Sequence, residues 1–258
     1  MMSKTVDLYY FSGTGNTLLV VRKMTEIFRQ NGFNVNMLKI EKEDPLKINL
    51  QNTIGLAFPV ACQSTYSFIR DFLESMPRAY GNTEVFMVDT LHSFSGAIVG
   101  PVKRLMVKKG YKTIGAKEIK MPMNLYPVKI NSEKNKYKIL NGLKEAEKYA
   151  VDIISGRAKW GRIPVLSDLF YSFVSMDLIR VFLAWMGQRF RVSKNKCAKC
   201  GLCVRLCPTH NITIREYPNF DRECQQCLRC VMFCPEEAIT MPLWKYARYR
   251  VVAAQDLL

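Results

Sequence analysis

Short apolar runs alternate with amphipathic stretches over the first 155 residues. Thr5–Phe11 (TVDLYYF) is a compact apolar and aromatic run that stops at Ser12-Gly13. Leu18–Gln30 follows, with Leu19, Val20, Met24, Ile27 and Phe28 at helical spacing and Asn31-Gly32 as its stop. Phe33–Ile40, Thr53–Phe58, Thr83–Asp89 and Tyr111–Ile119 read as further strands. Ser67–Met76, stopped by Pro77, and Val102–Lys109, closed by Gly110, read as helices. Lys138–Ser155 is a third, with Leu140, Leu143, Ala146, Tyr149, Ala150 and Ile153 as its apolar stripe. Strands alternating with helices predict an α/β domain, a parallel sheet covered on both faces. Only about a dozen residues join the second and third strands, so the helix expected there is very short or replaced by a loop.

The pattern changes twice more. Residues 156–193 set a few charges, among them Asp168, Asp177 and Arg180, into an aromatic and aliphatic run, and read as a helical linker. A membrane-surface helix is the other reading of 160–190. No stretch of about 18 uncharged apolar residues exists, so no transmembrane segment is expected. The N-terminus lacks an apolar core with a cleavage site, so a cytoplasmic protein is expected. Residues 194–258 are rich in cysteine and short of long periodic segments. The expected domains are therefore 1–155, the linker 156–193 and 194–258.

The third region repeats itself. Cys197–Ile214 aligns with Cys224–Met241 at an offset of 27, with 8 of 18 positions identical. Each copy carries C-x₂-C-x₂-C-x₃-C-P. In a chain without an export signal, eight cysteines between 197 and 234 argue for metal ligation over disulfides. Three cysteines in a tight turn can face three corners of one cubane, and the fourth begins to leave the turn. The proline after it has no N–H to donate and directs the chain away. The run resembles that of bacterial two-cluster ferredoxins, whose fourth cysteine ligates the other cluster. The resemblance implies two [4Fe–4S] clusters, one on Cys197, Cys200, Cys203 and Cys234, the other on Cys224, Cys227, Cys230 and Cys207. A pair of zinc sites is the competing reading. The ninth cysteine, Cys62, lies outside the repeat and reads as a plain thiol. His92 and His210 are too scattered to form a dyad.

A second chemical signal joins the first strand to the first helix. Ser12, Gly13, Thr14, Gly15, Asn16 and Thr17 combine glycines for a tight turn with hydroxyl and amide donors at a helix N-terminus. No Lys or Arg lies between Ser12 and Val21, so an anion there is held by neutral donors. That departs from the Gly-Lys-Ser/Thr of nucleotide-triphosphate loops and from G-x-G-x-x-G. The segment resembles the flavodoxin loop that binds the 5′-phosphate of FMN. The resemblance implies a flavodoxin-like five-stranded sheet, ordered 2-1-3-4-5, with FMN at the carboxyl ends of the first and third strands. The loop after the third strand (Pro59, Val60, Ala61) would then touch the flavin, with Tyr66 a stacking candidate. So would the loop after the fourth (Thr90, Leu91, His92, Ser93, Phe94, Gly96), with Asn124 closing one side.

Together, the chain resembles the flavodoxin–ferredoxin fusion proteins of anaerobic bacteria. The resemblance implies a cytoplasmic electron-transfer protein that couples one-electron clusters to a flavin taking one or two electrons. Joining the centres on one chain raises the effective concentration of each at the other. The alternative is an FMN-dependent reductase of a small molecule, with His92 or Tyr66 as proton donor. No G-x-G-x-x-G nicotinamide site is present, so electrons are expected from another protein.

Charge narrows the partner. The formal net charge is +16. Two thiolate-bound clusters and a flavin phosphate lower it to about +10. Lys103–Lys138 alone carries 11 basic and 2 acidic residues. Redox proteins with acidic docking surfaces are the expected partners. Nucleic acid is not, because no known binding motif is present.

Overall fold

The computed structural model describes residues 2–61, 64–93, 98–123, 132–161, 185, 189–241 and 248–258. The chain divides into two compact units.

The first unit holds β1 (Thr5–Tyr10), α1 (Asn16–Gln30), β2 (Asn34–Lys39), β3 (Thr53–Pro59), α2 (Ser67–Ser75), β4 (Glu84–Leu91), α3 (Val99–Lys108), β5 (Lys112–Lys120) and α4 (Ser132–Ile154). The five strands form one parallel sheet in the order β2-β1-β3-β4-β5. The interior strands β1, β3 and β4 are buried along almost their whole length, whereas the edge strands β2 and β5 alternate with solvent. Burial on both faces is what made the interior strands read as continuous apolar runs. Between β2 and β3 the chain makes two single 3₁₀ turns, Ile40–Lys42 and Pro45–Lys47, in place of a crossover helix.

Side chains lock the register. Asp7 on β1 is buried and accepts from Asn36 Nδ2 and from Asn52 Nδ2, both at 2.8 Å. Gly55 on β3 lies between Leu8 and Phe86 in the register, and a Cβ there would sit 2.3 Å from Leu8 Cδ1 and 2.6 Å from Phe86 Cζ. Phe86 meets Phe28 of α1 at 5.7 Å and Tyr149 of α4 at 6.4 Å, so one face of the sheet carries an aromatic row. Tyr149 donates to Met87 O at 2.9 Å.

Four helix details depart from the expected pattern. Helix α3 starts at Val99, ahead of Val102, because Pro101 falls in its first turn, where a missing N–H costs nothing. Helix α4 starts at Ser132, six residues ahead of Lys138, since its polar first turns give no apolar signal. Leu140 is 60% exposed and does not belong to the buried stripe. Gly142 takes the inward place instead, with Met121 Sδ 2.5 Å from where a Cβ would stand. On α1, Leu19 is half-buried, and Leu18 and Val21 supply the buried face with Val20, Met24, Ile27 and Phe28.

The second unit holds β6 (Arg191–Val192), α5 (Leu202–Leu206), β7 (Ile212–Ile214), β8 (Pro218–Phe220), α6 (Arg229–Met232) and β9 (Ile239–Thr240). β6 pairs with β9 and β7 with β8, both antiparallel. Phe190 packs against Phe220 at 5.4 Å. Among the described residues no helix is long and apolar enough to cross a membrane. The helical linker expected over 156–193 falls mostly outside the described residues, which stop at 161 and resume with 185 and 189.

Candidate functional site

The sequence repeat is a backbone repeat. Lys199 and Gln226 have φ of +53° and +54°, Gly201 and Leu228 +71° and +63°, His210 and Glu237 +52° and +51°. Each pair is separated by the same 27 residues as the sequence copies. Five of these six left-handed positions are not glycine. The strain, about 1–3 kcal/mol for such a residue, points to a turn held by something beyond local preference. Each turn opens a helix: Gly201 caps α5 and Leu228 caps α6. In both copies a backbone N–H donates to the fourth sulfur at 3.3 Å, Asn211 N to Cys207 Sγ and Ala238 N to Cys234 Sγ.

The eight sulfurs line two cavities. One is lined by Cys197, Cys200, Cys203 and Cys234, with Pro218, Pro235 and Ile239. The other is lined by Cys207, Cys224, Cys227 and Cys230, with Phe190, Phe220 and Leu228. Each cavity takes three cysteines from one copy and the fourth from the other. Burial pushes the Cys203 and Cys224 thiols up to about 11 and the Cys227 thiol to about 12. Neighbouring cysteines of the same cavity push in the same direction, Cys200 and Cys234 on Cys203, Cys207 on Cys224. Such sulfurs stay protonated at neutral pH unless a cationic centre takes the charge. Among the described residues no three His, Cys, Asp or Glu side chains are gathered as a single metal ion requires. Four thiols around an apolar hollow, with N–H donors on the sulfur, fit a polynuclear centre.

The loop between β1 and α1 is the second candidate. Gly15 has φ of +111°, a conformation that favours glycine. Three side chains expected as donors to an anion make hydrogen bonds within the protein, Ser12 as an acceptor. Leu18 N donates to Ser12 Oγ at 3.3 Å, Asn16 Nδ2 donates to Pro122 O at 2.9 Å, and Thr17 Oγ1 shares a 2.8 Å hydrogen bond with Thr90 Oγ1. They fix the loop and tie it to the ends of β4 and β5. Helix α1 has no acidic residue in its first turn.

The neighbouring loops converge on the same end of the sheet. Val60 N donates to Thr90 O at 2.9 Å, and Met121 N to Leu91 O at 2.8 Å. Ala61 and Ser64, after β3, exchange two backbone hydrogen bonds of 2.9 Å. Thr65 Oγ1 donates to Pro59 O at 3.1 Å. Ser64 Oγ is buried without a hydrogen-bond partner. An orphaned hydroxyl there fits a ligand's polar atom. Tyr66 packs on Phe68, rings stacked at 5.9 Å, and on Phe11 at 5.4 Å, so it serves the protein's own packing. His92 Nε2 accepts from Lys138 Nζ at 3.2 Å, and burial followed by the Lys138 charge hold it below its ordinary value. A neutral imidazole that accepts a proton bond is a poor proton donor. Phe94, Gly96 and Asn124, and with them Cys62, lie outside the described residues.

Sequence reading missed Asp89. It lies one residue before Thr90, is fully buried, and neither carboxylate oxygen has a hydrogen-bond partner. Burial, then Glu118, push its carboxyl well above the usual range. Its signal was an acid closing the apolar run VFMV. The basic stretch 103–138 is partly structural. Lys103 Nζ donates to Trp160 O at 3.3 Å, Lys112 pairs with Glu84 at 2.8 Å and Lys117 pairs with Glu145.

Comparison with known proteins matches the 4Fe-4S dicluster domain family over residues 179–248. No curated protein matches the chain. Solved structures overlap with the sheet unit at low identity. The rubredoxin oxygen:oxidoreductase of the anaerobe Desulfovibrio gigas shares 14% identity over 61% of this chain, with a TM-score of 0.43. This chain spans only 38% of that protein. The two-electron reduced flavodoxin of Megasphaera elsdenii shares 18% identity over 54% of this chain and 98% of its own, with a TM-score of 0.40. A Streptococcus flavodoxin shares 17% over 57% of this chain and 99% of its own, at 0.41. With such scores none bears on activity. The strand order itself is flavodoxin-like. The chain joins a flavodoxin-like domain to a 4Fe-4S dicluster domain. That combination supports electron transfer as its function.

Proposed function

We propose that the chain is an electron carrier that couples two [4Fe–4S] clusters to one FMN. When bound, the clusters supply one-electron exchange and the flavin supplies storage of one or two electrons. Cys197, Cys200, Cys203 and Cys234 would hold one cluster, and Cys207, Cys224, Cys227 and Cys230 the other. The lining of two cavities by these crossed sets is the observation that carries the reading. The left-handed turns at Lys199 and Gln226 lie between the first two cysteines of each copy, Cys197 and Cys200, and Cys224 and Cys227. Asn211 N–H and Ala238 N–H lower the charge density on Cys207 and Cys234.

At the sheet end, the backbone of Gly13–Thr17 would hold the flavin phosphate. Pro59, Val60, Ala61, Thr90 and Leu91 would line the ring, and Ser64 Oγ would meet a polar atom of it.

Anaerobic reconstitution with iron, sulfide and FMN tests the reading. The expected content is about eight iron, about eight sulfide and one FMN per chain. Stoichiometric zinc with iron near zero would overturn the cluster assignment. Failure to retain FMN after gel filtration would overturn the flavin site alone.

A further inference from the structure

The two cysteine copies match in backbone but not in surface. Cys200 is exposed, while its mate Cys227 is buried. The other three mates agree: Cys197 and Cys224 are intermediate, Cys203 and Cys230 buried, Cys207 and Cys234 intermediate. Charge departs in the same place. Lys194-Asn195-Lys196 in the first copy stands where the second has Asp221-Arg222-Glu223, and Lys199 stands where the second has Gln226. Lys194, Lys196 and Lys199 are all exposed.

These cations surround an amphipathic patch. Lys194 Nζ and Lys199 Nζ lie 5.6 and 4.4 Å from the centre of the Tyr217 ring. Ile214 is 43% exposed, and its Cδ1 lies 3.9 Å from where a Cβ on Gly201 would stand. Arg215 is exposed beside it. Two carboxylates oppose the four cations: Glu216, 3.8 Å from Lys199, and Glu236, which lines the cavity.

The lysines are poorly placed to neutralise the centre inside. The second copy does that with Arg229, which is 3% exposed, donates to Leu206 O at 3.4 Å and acts on Cys227. Its mate in the first copy is the apolar Leu202. Exposed ammonium groups are screened by water and act weakly on a buried site, but they steer an approaching charged protein strongly.

We infer that the first cysteine set is the port of this protein, and that the Lys194/Lys196/Lys199 rim around Ile214 and Tyr217 docks an acidic redox protein. This inference rests on the reading of the cysteines as cluster ligands. Each encounter moves one electron and no proton. The partner's centre is oxidised by one electron, and the centre on Cys197, Cys200, Cys203 and Cys234 is reduced by one. A small apolar centre inside a charged ring suits a short-lived complex, in which charge sets the on-rate.

The test compares three reconstituted full-length proteins: the parent, Lys194→Glu/Lys196→Glu/Lys199→Glu, and a control reversal on α4, Lys136→Glu/Lys144→Glu/Lys148→Glu. Each is mixed with a pre-reduced acidic ferredoxin and, separately, with photoreduced 5-deazariboflavin, a neutral small reductant. Iron content is measured for all three. The expected result is a second-order rate with the ferredoxin that falls about 10–100-fold at low salt in the rim variant only. Its salt dependence flattens, and reduction by the neutral reductant is unchanged. Equal rates in all three, or equal losses in the two variants, would overturn the port. If the reversal loses iron, Lys194→Gln/Lys199→Gln replaces it, with a smaller loss of the same pattern expected. A rim variant that keeps its rate with ferredoxin but no longer binds phosphatidylglycerol vesicles would make the rim a membrane surface and overturn the inference. Absence of iron from the parent would overturn the ligand reading instead.

Discussion

The two units reach order by opposite routes. The sheet unit has three interior strands with almost no solvent contact, and its largest fully buried side chains include Phe11, Phe28, Phe58 and Phe86. The cysteine unit has strands of two or three residues, helices of four or five, and non-glycine residues held at positive φ. Apolar burial explains the first, at about 25 cal/mol per Å² removed from water. The second buries Leu206, Ile212, Val231, Met232, Phe233 and Ile239 as well, but sets them around cysteine turns held at positive φ. The sheet unit is therefore expected to outlast cofactor loss, and the cysteine unit is not.

The largest effect should separate the two. Chelating iron from the reconstituted protein, or substituting Cys207→Ser, should open the cysteine unit to protease while the sheet unit remains resistant. Limited proteolysis with mass analysis reads this directly, and simultaneous loss of both units would break the contrast. The converse is a sheet lesion. Gly55→Val places carbons where Leu8 and Phe86 already stand. Overpacking of this kind costs about 1–3 kcal/mol. Chemical denaturation should show that loss in the sheet transition, with iron content unchanged.

A smaller effect probes Asp89. Its folded carboxyl is raised above the ordinary 3.8, so the folded state holds a proton that the unfolded state releases. Stability therefore falls as pH rises above about 4, by up to about 1.4 kcal/mol per pH unit, until the folded group itself ionises. Asp89→Asn removes that slope. The variant should match the parent below pH 4 and exceed it progressively toward neutral pH in urea titrations. A parent slope that survives in Asp89→Asn would mean that other groups set it.

The same contrast governs what was legible in the sequence. The alternation of strand and helix stood out because parallel strands buried on both faces cannot hide among polar residues. The start of α4 at Ser132 was invisible because its first turns carry no apolar face, and Leu140 misled because an exposed leucine has the same letter as a buried one. The cysteine spacing was plain, since ligand number and interval are written in the chain. The turns that position the sulfurs were not, because Lys199, Gln226, Leu228 and Glu237 take left-handed backbone without the glycine that announces it. In the phosphate loop the residue types were read correctly but their use was not. Asn16 and Thr17 bond inward, to partners 106 and 73 residues away, which no local window contains.

The exchange of one sulfur between the two copies also bears on inheritance. A single copy is a half with three sulfurs for its own hollow and one to lend. Alone, it would need a second copy to supply the fourth sulfur of its hollow. Once fused, the halves are free to diverge wherever the loan is not involved. They have done so at Lys194–Lys199 against Asp221–Gln226, while both lenders, Cys207 and Cys234, keep their proline and their N–H donor four residues on. An inserted residue between a third cysteine and its lender would damage the opposite hollow rather than its own. Length in that interval is thus policed from across the pseudo-twofold.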